Sequence, residues 1–161
     1  MKFKATTVWL KSVLPEQYAS QIQGHWCWEE IGRWYRKTDI PDEIVGPIVQ
    51  ALIDSGNGCI CYEYCRHVED RPEVRQALID SGNGYACYLY CRFVEDREDV
   101  RQALIDSGDG YACYCYCYYN VKDRDDVRQA LIDSGDGNAC YWYCLDVEDR
   151  PEVRAVAEGA A

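Results

Sequence analysis

Thiol chemistry is the first function that this sequence suggests, because cysteines recur at a fixed spacing along most of the chain. The segment YACYCYCYY, residues 111–119, places three thiols within five residues. Two cysteines four residues apart on a helix lie on the same side, where they can supply two ligands to zinc or to an iron–sulfur cluster, or act as a redox sensor. The candidate ligands for such a site are Cys87, Cys91, Cys113 and Cys117.

An internal repeat accounts for the spacing of the cysteines. The motif ALIDSG occurs four times, beginning at Ala51, Ala77, Ala103 and Ala130, so the steps are 26, 26 and 27 residues, and the additional residue lies near Asn120. Short units repeated at such a period are typical of stacked helical arrays. In this register eight cysteines occupy two positions of the unit. The first position holds Cys61, Cys87, Cys113 and Cys140, and the second, four residues later, holds Cys65, Cys91, Cys117 and Cys144.

The repeat also favours a structural role for these thiols. Stacked helices lie about 8–10 Å apart, whereas a disulfide needs Cα atoms within about 7 Å. The repeated cysteines are therefore predicted to be small buried packing residues with no bound cofactor, and a metal or iron–sulfur site is the alternative. Cys115 falls outside both positions. Because its equivalents are Glu63, Leu89 and Trp142, this position is predicted to be exposed.

Each unit carries the signals for two helices. Asp70, three residues before Glu73, approximates a capping box and predicts the start of a first helix, which ends at Gly82. Asn83 then predicts the N-cap of a second helix. The equivalent pairs are Asp96 with Asp99, Asp123 with Asp126 and Asp149 with Glu152, and the equivalent N-caps are Asn57, Asp109 and Asp136. The predicted buried face of the second helix comprises Ala86, Cys87, Tyr90, Cys91 and Val94.

Two helices per unit predict an all-α protein, a right-handed α-solenoid of about four two-helix repeats of 26–27 residues. Residues 1–40 are predicted to form an N-terminal helical cap with Trp26, Trp28 and Trp34 in its core, and the opening helix of the first repeat follows Asp39 and Pro41. Residues 41–161 are predicted to form the array, with repeats near 41–70, 71–96, 97–123 and 124–149 and a C-terminal half-repeat at 150–161.

The stretch SGNGYACYLYCRFV resembles a short helical repeat of uncharacterised bacterial and phage proteins with the general form SGDxxYAYxFARxV. Tyr88, Tyr90 and Arg92 match that form, as does Val94, while cysteines stand in place of its alanines. Through DRPEVRQAL the unit is also similar to leucine-rich repeat variant and HEAT-like repeats. These resemblances imply an architecture and no activity. Some leucine-rich-variant proteins carry an N-terminal iron–sulfur cluster, which is not expected here because that region has the single Cys27.

Charge narrows the choice of partner. Residues 1–41 contain six Lys and Arg against four Asp and Glu (+2), whereas residues 42–161 contain eleven against twenty-four (−13), which gives a formal net charge of −11. Such an acidic chain is not expected to bind nucleic acid directly, since that affinity comes largely from Lys and Arg. The sequence also lacks a secretory signal and an apolar run long enough for a membrane span, so a cytoplasmic protein with reduced thiols is expected.

The function predicted from these features is a non-enzymatic module that binds another protein, which has a basic surface, through an acidic, Tyr- and Trp-rich face. No catalytic motif is present. A narrower hypothesis is a phage-type inhibitor, resembling anti-CRISPR proteins, that mimics nucleic acid in a basic groove; the alternative is the cysteine-based metal or redox protein. The predicted binding residues are Asp54, Asp80, Asp106, Asp133, Trp142 and Glu63. The aspartates either pair with Arg75, Arg101 and Arg128 or are displayed, and Tyr62, Tyr88, Tyr114 and Tyr141 are predicted to close seams between repeats.

Overall fold

The computed structural model describes residues 3–38, 40–119 and 123–159, and the regular structure in these ranges is entirely helical. The all-α prediction is therefore confirmed. Asp39 and Asn120, on which two of the predictions above rest, lie outside the described residues. The helices are α1 Phe3–Val13, α2 Glu16–Ala19, α3 Trp28–Lys37, α4 Asp42–Asp54, α5 Gly58–His67, α6 Pro72–Asp80, α7 Gly84–Phe93, α8 Glu98–Asp106, α9 Gly110–Tyr119, α10 Asp125–Asp133, α11 Gly137–Asp146 and α12 Pro151–Ala157.

The chain forms two compact units, an N-terminal unit (Met1–Leu78) and a C-terminal unit (Ile79–Ala161). We call α4, α6, α8, α10 and α12 the first helices, and α5, α7, α9 and α11 the second helices. Each second helix from α7 to α11 is followed by a first helix that packs against it, so helices pair with their neighbours in sequence. Among the described helices, none is both long and apolar enough to cross a membrane.

Tryptophans and short polar contacts organise the start of the N-terminal unit, where α1 packs against α2 and α4. Trp28 is buried, whereas Trp26 and Trp34 are half-buried. The backbone N–H of Trp26 donates to the Thr7 hydroxyl at 2.8 Å, which ties the segment before α3 to α1. Of the three tryptophans predicted to form the core of the N-terminal cap, Trp28 is therefore the one that is buried.

Helix α3 lies against the C-terminal end of α5. A Cβ atom at Gly32 would lie only 1.8 Å from the carbonyl oxygen of His67, so this contact requires glycine. The same carbonyl accepts a hydrogen bond of 2.7 Å from Arg36 Nη1. Because the last carbonyls of a helix lack partners within it, Arg36 satisfies one of them and fixes α3 on α5.

In the C-terminal unit the helices form two layers. The second helices α7, α9 and α11 pack side by side in one layer, and the first helices α8, α10 and α12 pack side by side in the other. The turns between first and second helices also touch: a Cβ atom at Gly110 would lie 2.4 Å from the Ser134 hydroxyl oxygen, and one at Gly84 would lie 2.2 Å from that of Ser107. Glycine at this register therefore permits successive turns to stack directly.

The predicted ends of the helices at these turns are confirmed. The glycines that follow the first helices have positive φ, for example +64° at Gly82 and +69° at Gly108, as a left-handed C-terminal residue requires. Asn83 accepts a hydrogen bond from the Ala86 N–H at 3.0 Å and caps α7. The equivalent side chains at the start of the other second helices accept the same kind of hydrogen bond from a backbone N–H. They are those of Asn57, Asp109 and Asp136.

The N-terminal ends of the first helices differ from the prediction. The N-cap residues of α8, α10 and α12 are Arg97, Arg124 and Arg150, and none of these side chains makes a capping hydrogen bond. The aspartate before each of them bonds instead to an arginine five residues further on, as Asp96 does with Arg101 at 3.0 Å. The predicted capping boxes of these helices are wrong, because the charge-assisted bond to a guanidinium takes the carboxylate away from the helix end.

The predicted buried face of the second helices is largely confirmed. In α7 the side chains of Ala86, Cys87, Tyr90 and Cys91 are buried. Val94, the C-cap residue of α7, is only half-buried. Cysteine therefore fills the position at which helices of adjacent layers approach closely, as a small apolar residue does.

Candidate functional site

Seven of the eight repeated cysteines lie in the core rather than at an accessible site, and Cys144 is half-buried. Burial raises the pKa of the Cys87 and Cys113 thiols to about 12, and it also raises the pKa of Cys91 and Cys117. These thiols are therefore protonated at neutral pH, whereas the thiolate is the form that binds metals and reacts. Within residues 3–38, 40–119 and 123–159, no group of three or more His, Cys, Asp or Glu side chains is arranged to hold a metal ion.

The prediction that Cys115 is exposed is wrong. This thiol is 3% exposed, although Trp142 at the equivalent position of α11 is 42% exposed. Burial raises the pKa of this thiol as well. The two residues differ because the thiol is small enough to be covered at this position, whereas the larger indole is not.

Exposed aspartates stand at the C-terminal ends of α4, α6, α8 and α10, which agrees with the alternative that their carboxylates are displayed on the surface. Asp54, Asp106 and Asp133 are exposed, and each accepts a hydrogen bond of 2.8 Å from a glutamine one turn earlier in its own helix. Arg101 bonds to Asp96 and Arg128 bonds to Asp123, so these two arginines do not form the pairs with Asp106 and Asp133 that one of the two alternatives required. Because a glutamine amide is neutral, the charges of the aspartates remain displayed. Asp80 is exposed as well.

The other two predicted binding residues lie in different units. Glu63, in the N-terminal unit, is half-buried and lies 3.3 Å from His67 Nε2. Desolvation lowers the pKa of His67, and the neighbouring Glu63 opposes this shift. Trp142 lies in the C-terminal unit with its indole partly exposed, as predicted. The structure thus brings Trp142 into one unit with Asp106 and Asp133, whereas Glu63 lies against His67 of its own helix.

A continuous aromatic surface surrounds Trp142, and it was not predicted from the sequence. We define this aromatic surface as Tyr85, Tyr111, Tyr114, Tyr118, Tyr119 and Trp142. Five of its six side chains are exposed by 41–49%, and Tyr114 is buried beneath them. Its ring centroids form pairs at 4.5–6.3 Å that link α7, α9 and α11. The sequence signal for this surface is the pair Tyr118 and Tyr119 at the end of α9. The equivalent pairs in the other second helices are Arg66 and His67, Arg92 and Phe93, and Leu145 and Asp146.

Tyrosines close the seams between the second helices of the C-terminal unit, though not all as predicted. Tyr88 and Tyr114 are buried there, and the Tyr114 hydroxyl donates to Asp146 of α11 at 2.7 Å. Tyr62, in the N-terminal unit, is also buried. Tyr141 is 54% exposed, because no second helix follows α11 in the described residues.

A second group of tyrosines crosses the layers. Tyr116 donates to Asp96 and Tyr143 donates to Asp123, each at 2.9 Å. The same carboxylates accept hydrogen bonds from Arg101 and Arg128. Each carboxylate therefore joins the loop before a first helix to the second helix of the next pair.

Comparison of the chain with protein-family models, with curated proteins and with solved structures gives no match. The function is therefore inferred from the surfaces themselves. Exposed tyrosine and tryptophan side chains supply large, stiff contact areas with polar groups at their tips, which is the chemistry of protein recognition.

Proposed function

We propose that the protein is a non-enzymatic module that binds another protein through the aromatic surface, and that this partner carries a basic surface. The observation that carries the proposal is the exposure of five aromatic side chains on α7, α9 and α11, whose rings contact one another directly or through the buried ring of Tyr114. Exposed aromatic side chains in continuous contact form a larger apolar patch than isolated surface residues do, and such patches mark interaction sites. Tyr and Trp also dominate binding energy at protein interfaces.

Charge supports the choice of a basic partner. The chain has a formal net charge of −11, and the exposed carboxylates of Asp106 and Asp133 bond to neutral glutamine amides. A surface of this sign attracts positively charged proteins and raises their association rate. A narrower form of the proposal is an inhibitor, of the kind found in phages, whose carboxylates replace nucleic-acid phosphates in a basic groove.

The proposed module is a right-handed α-solenoid of four repeats behind an N-terminal helical cap. Support comes from the two layers of the C-terminal unit and from the direct stacking of its turns at Gly84 and Gly110. The equivalent N-caps at Asn57 and Asn83 fit the same repeated geometry in both units. Thiol chemistry is not part of the proposal, since seven of the eight repeated cysteines are buried.

Photo-crosslinking in the native host tests the proposal. p-Benzoylphenylalanine would replace Tyr85 or Tyr118 on the aromatic surface, and a matched control would carry it at Glu98, which is exposed at the start of the first helix α8. We expect the two surface positions to crosslink to the same protein and the control to give none of that product. Equal crosslinking from all three positions, or none from Tyr85 and Tyr118, would contradict the proposal.

A further inference from the structure

The aromatic surface contains a compact group of three rings where α9 lies against α11. The ring centroids of Tyr111, Tyr114 and Trp142 are separated by 6.0, 5.8 and 5.9 Å and therefore form a nearly equilateral triangle. Tyr111 and Trp142 are the exposed members. Their ring faces carry negative electrostatic potential, which attracts cations.

A carboxylate lies beside this triangle of rings. Asp146 is one helical turn after Trp142 in α11, is exposed, and accepts a hydrogen bond of 2.7 Å from the Tyr114 hydroxyl. Burial raises the pKa of Tyr114, so its hydroxyl stays protonated and remains the donor. Since a neutral phenol does not cancel the charge of Asp146, the site combines ring faces with a negative charge.

Two earlier second helices show how this chain uses the same chemistry. In α5 and α7 an arginine stands four residues after the seam tyrosine and donates to its hydroxyl, as Arg92 does to Tyr88 at 2.7 Å. The Arg92 guanidinium also lies 3.9 Å from the centre of the Tyr119 ring. Tyr118 and Leu145 replace that arginine in α9 and α11, and the sequences of these two helices contain no Lys or Arg. The third and fourth repeats therefore keep the aromatic rings but lack the arginine, and α11 adds Asp146 where α5 and α7 have His67 and Phe93.

We propose that Tyr111, Trp142 and Asp146 bind the guanidinium group of an arginine side chain in a basic segment of the partner protein. This inference rests on the proposed function and specifies the chemistry of its site. A planar guanidinium can stack on a ring face while its N–H groups donate to a carboxylate, whereas a lysine ammonium cannot do both in the same way. Tyr114 acts as a positioning residue, because its hydroxyl holds Asp146 beside the rings.

Calorimetric titration with a synthetic hexa-arginine peptide tests the site, with hexa-lysine as the comparison. We expect saturable binding of hexa-arginine with a Kd below about 1 mM and weaker binding of hexa-lysine. Trp142→Leu should raise the Kd about 3- to 30-fold. Asp146→Asn should raise it about tenfold, and its amide oxygen can still accept the Tyr114 hydroxyl, so the local fold is kept.

Glu98→Gln is the matched control, since it removes the same charge from an exposed position of the same unit that has no part in the proposed binding surfaces. Its Kd should change by less than about twofold. The inference is overturned if hexa-arginine does not saturate, if hexa-lysine binds equally well, if Trp142→Leu has no effect, or if Glu98→Gln weakens binding as much as Asp146→Asn. Crosslinks from Tyr85 and Tyr118 that persist in any of these cases would leave the binding module standing, whereas their absence would remove both proposals.

Discussion

Removal of the Tyr116 hydroxyl measures how strongly the carboxylates between the two layers hold the C-terminal unit together. Tyr116 is 1% exposed and donates to Asp96 at 2.9 Å. A hydrogen bond to a charged group contributes about 1.5–3 kcal/mol. Because the Asp96 side chain is 44% exposed and keeps its bond to Arg101, water can partly replace the lost donor. We expect Tyr116→Phe to lower the free energy of unfolding by about 1.5 kcal/mol, at the low end of that range.

The equivalent change at Tyr143 should cost more. Tyr143→Phe leaves Asp123, whose side chain is only 19% exposed and whose Oδ1 atom is buried without a hydrogen-bond partner. Water replaces the lost hydroxyl less easily there, so the expected loss is about 2–3 kcal/mol. Urea unfolding followed by circular dichroism at 222 nm would measure both variants, with the denaturant slope checked for constancy. Tyr118→Phe, at an exposed ring, is the control and should stay within about 0.5 kcal/mol. A loss below that limit for both buried variants, or the reverse order, would refute the reasoning.

Three further predictions concern the turns, the thiols and the acidic surface. Gly110→Ala would place a Cβ atom 2.4 Å from the Ser134 hydroxyl oxygen, so we expect a loss of about 1–3 kcal/mol in urea unfolding, whereas an unchanged midpoint would show that the turns do not stack. Burial raises the pKa of Cys87 to about 12, so the folded state holds this proton more tightly than the unfolded state does. The contribution of this thiol to stability should be full below about pH 8.5 and should fall as the pH rises toward 12. A urea midpoint that does not change over this pH range under reducing conditions would contradict the prediction. Replacement of Asp106 and Asp133 together by Asn should slow association with a basic partner and flatten the salt dependence of the on-rate in stopped-flow measurements. If the variant and the unmodified protein have equal on-rates at both low and moderate salt, mimicry of phosphates is excluded.

The helix ends show which local features were readable from the residues. An Asn or Asp before a helix, and a glycine after one, act through their own backbone, so Asn83 and Gly82 were placed correctly. The N-terminal caps of the first helices were harder to predict, because the aspartate before each of these helices has two possible hydrogen-bond partners. Asp96 bonds to Arg101 rather than to the helix N-terminus, and the choice depends on Tyr116, which comes from the next pair of helices.

The candidate site was predictable only in part, for a related reason. Trp142 was expected to be exposed because its position varies between repeats, and it is exposed. The burial of Cys115 at the equivalent position was not foreseen, because it depends on how the neighbouring side chains pack around it. The aromatic surface likewise joins residues of three helices that are distant in sequence.

The sequence by itself determined the helical class, the 26- and 27-residue steps, the turns and the buried cysteine face, because each of these follows from residues close together in the chain. Tertiary structure alone decided which carboxylates are paired and which are displayed, and it also decided which tyrosines are buried and which form a surface. The physical reason is that a side chain's exposure and its hydrogen-bond partner depend on what the neighbouring helices place beside it. Tyr114 is 8% exposed where α11 covers α9, and Tyr141, at the same position of the repeat, is 54% exposed because the described residues place no second helix over it.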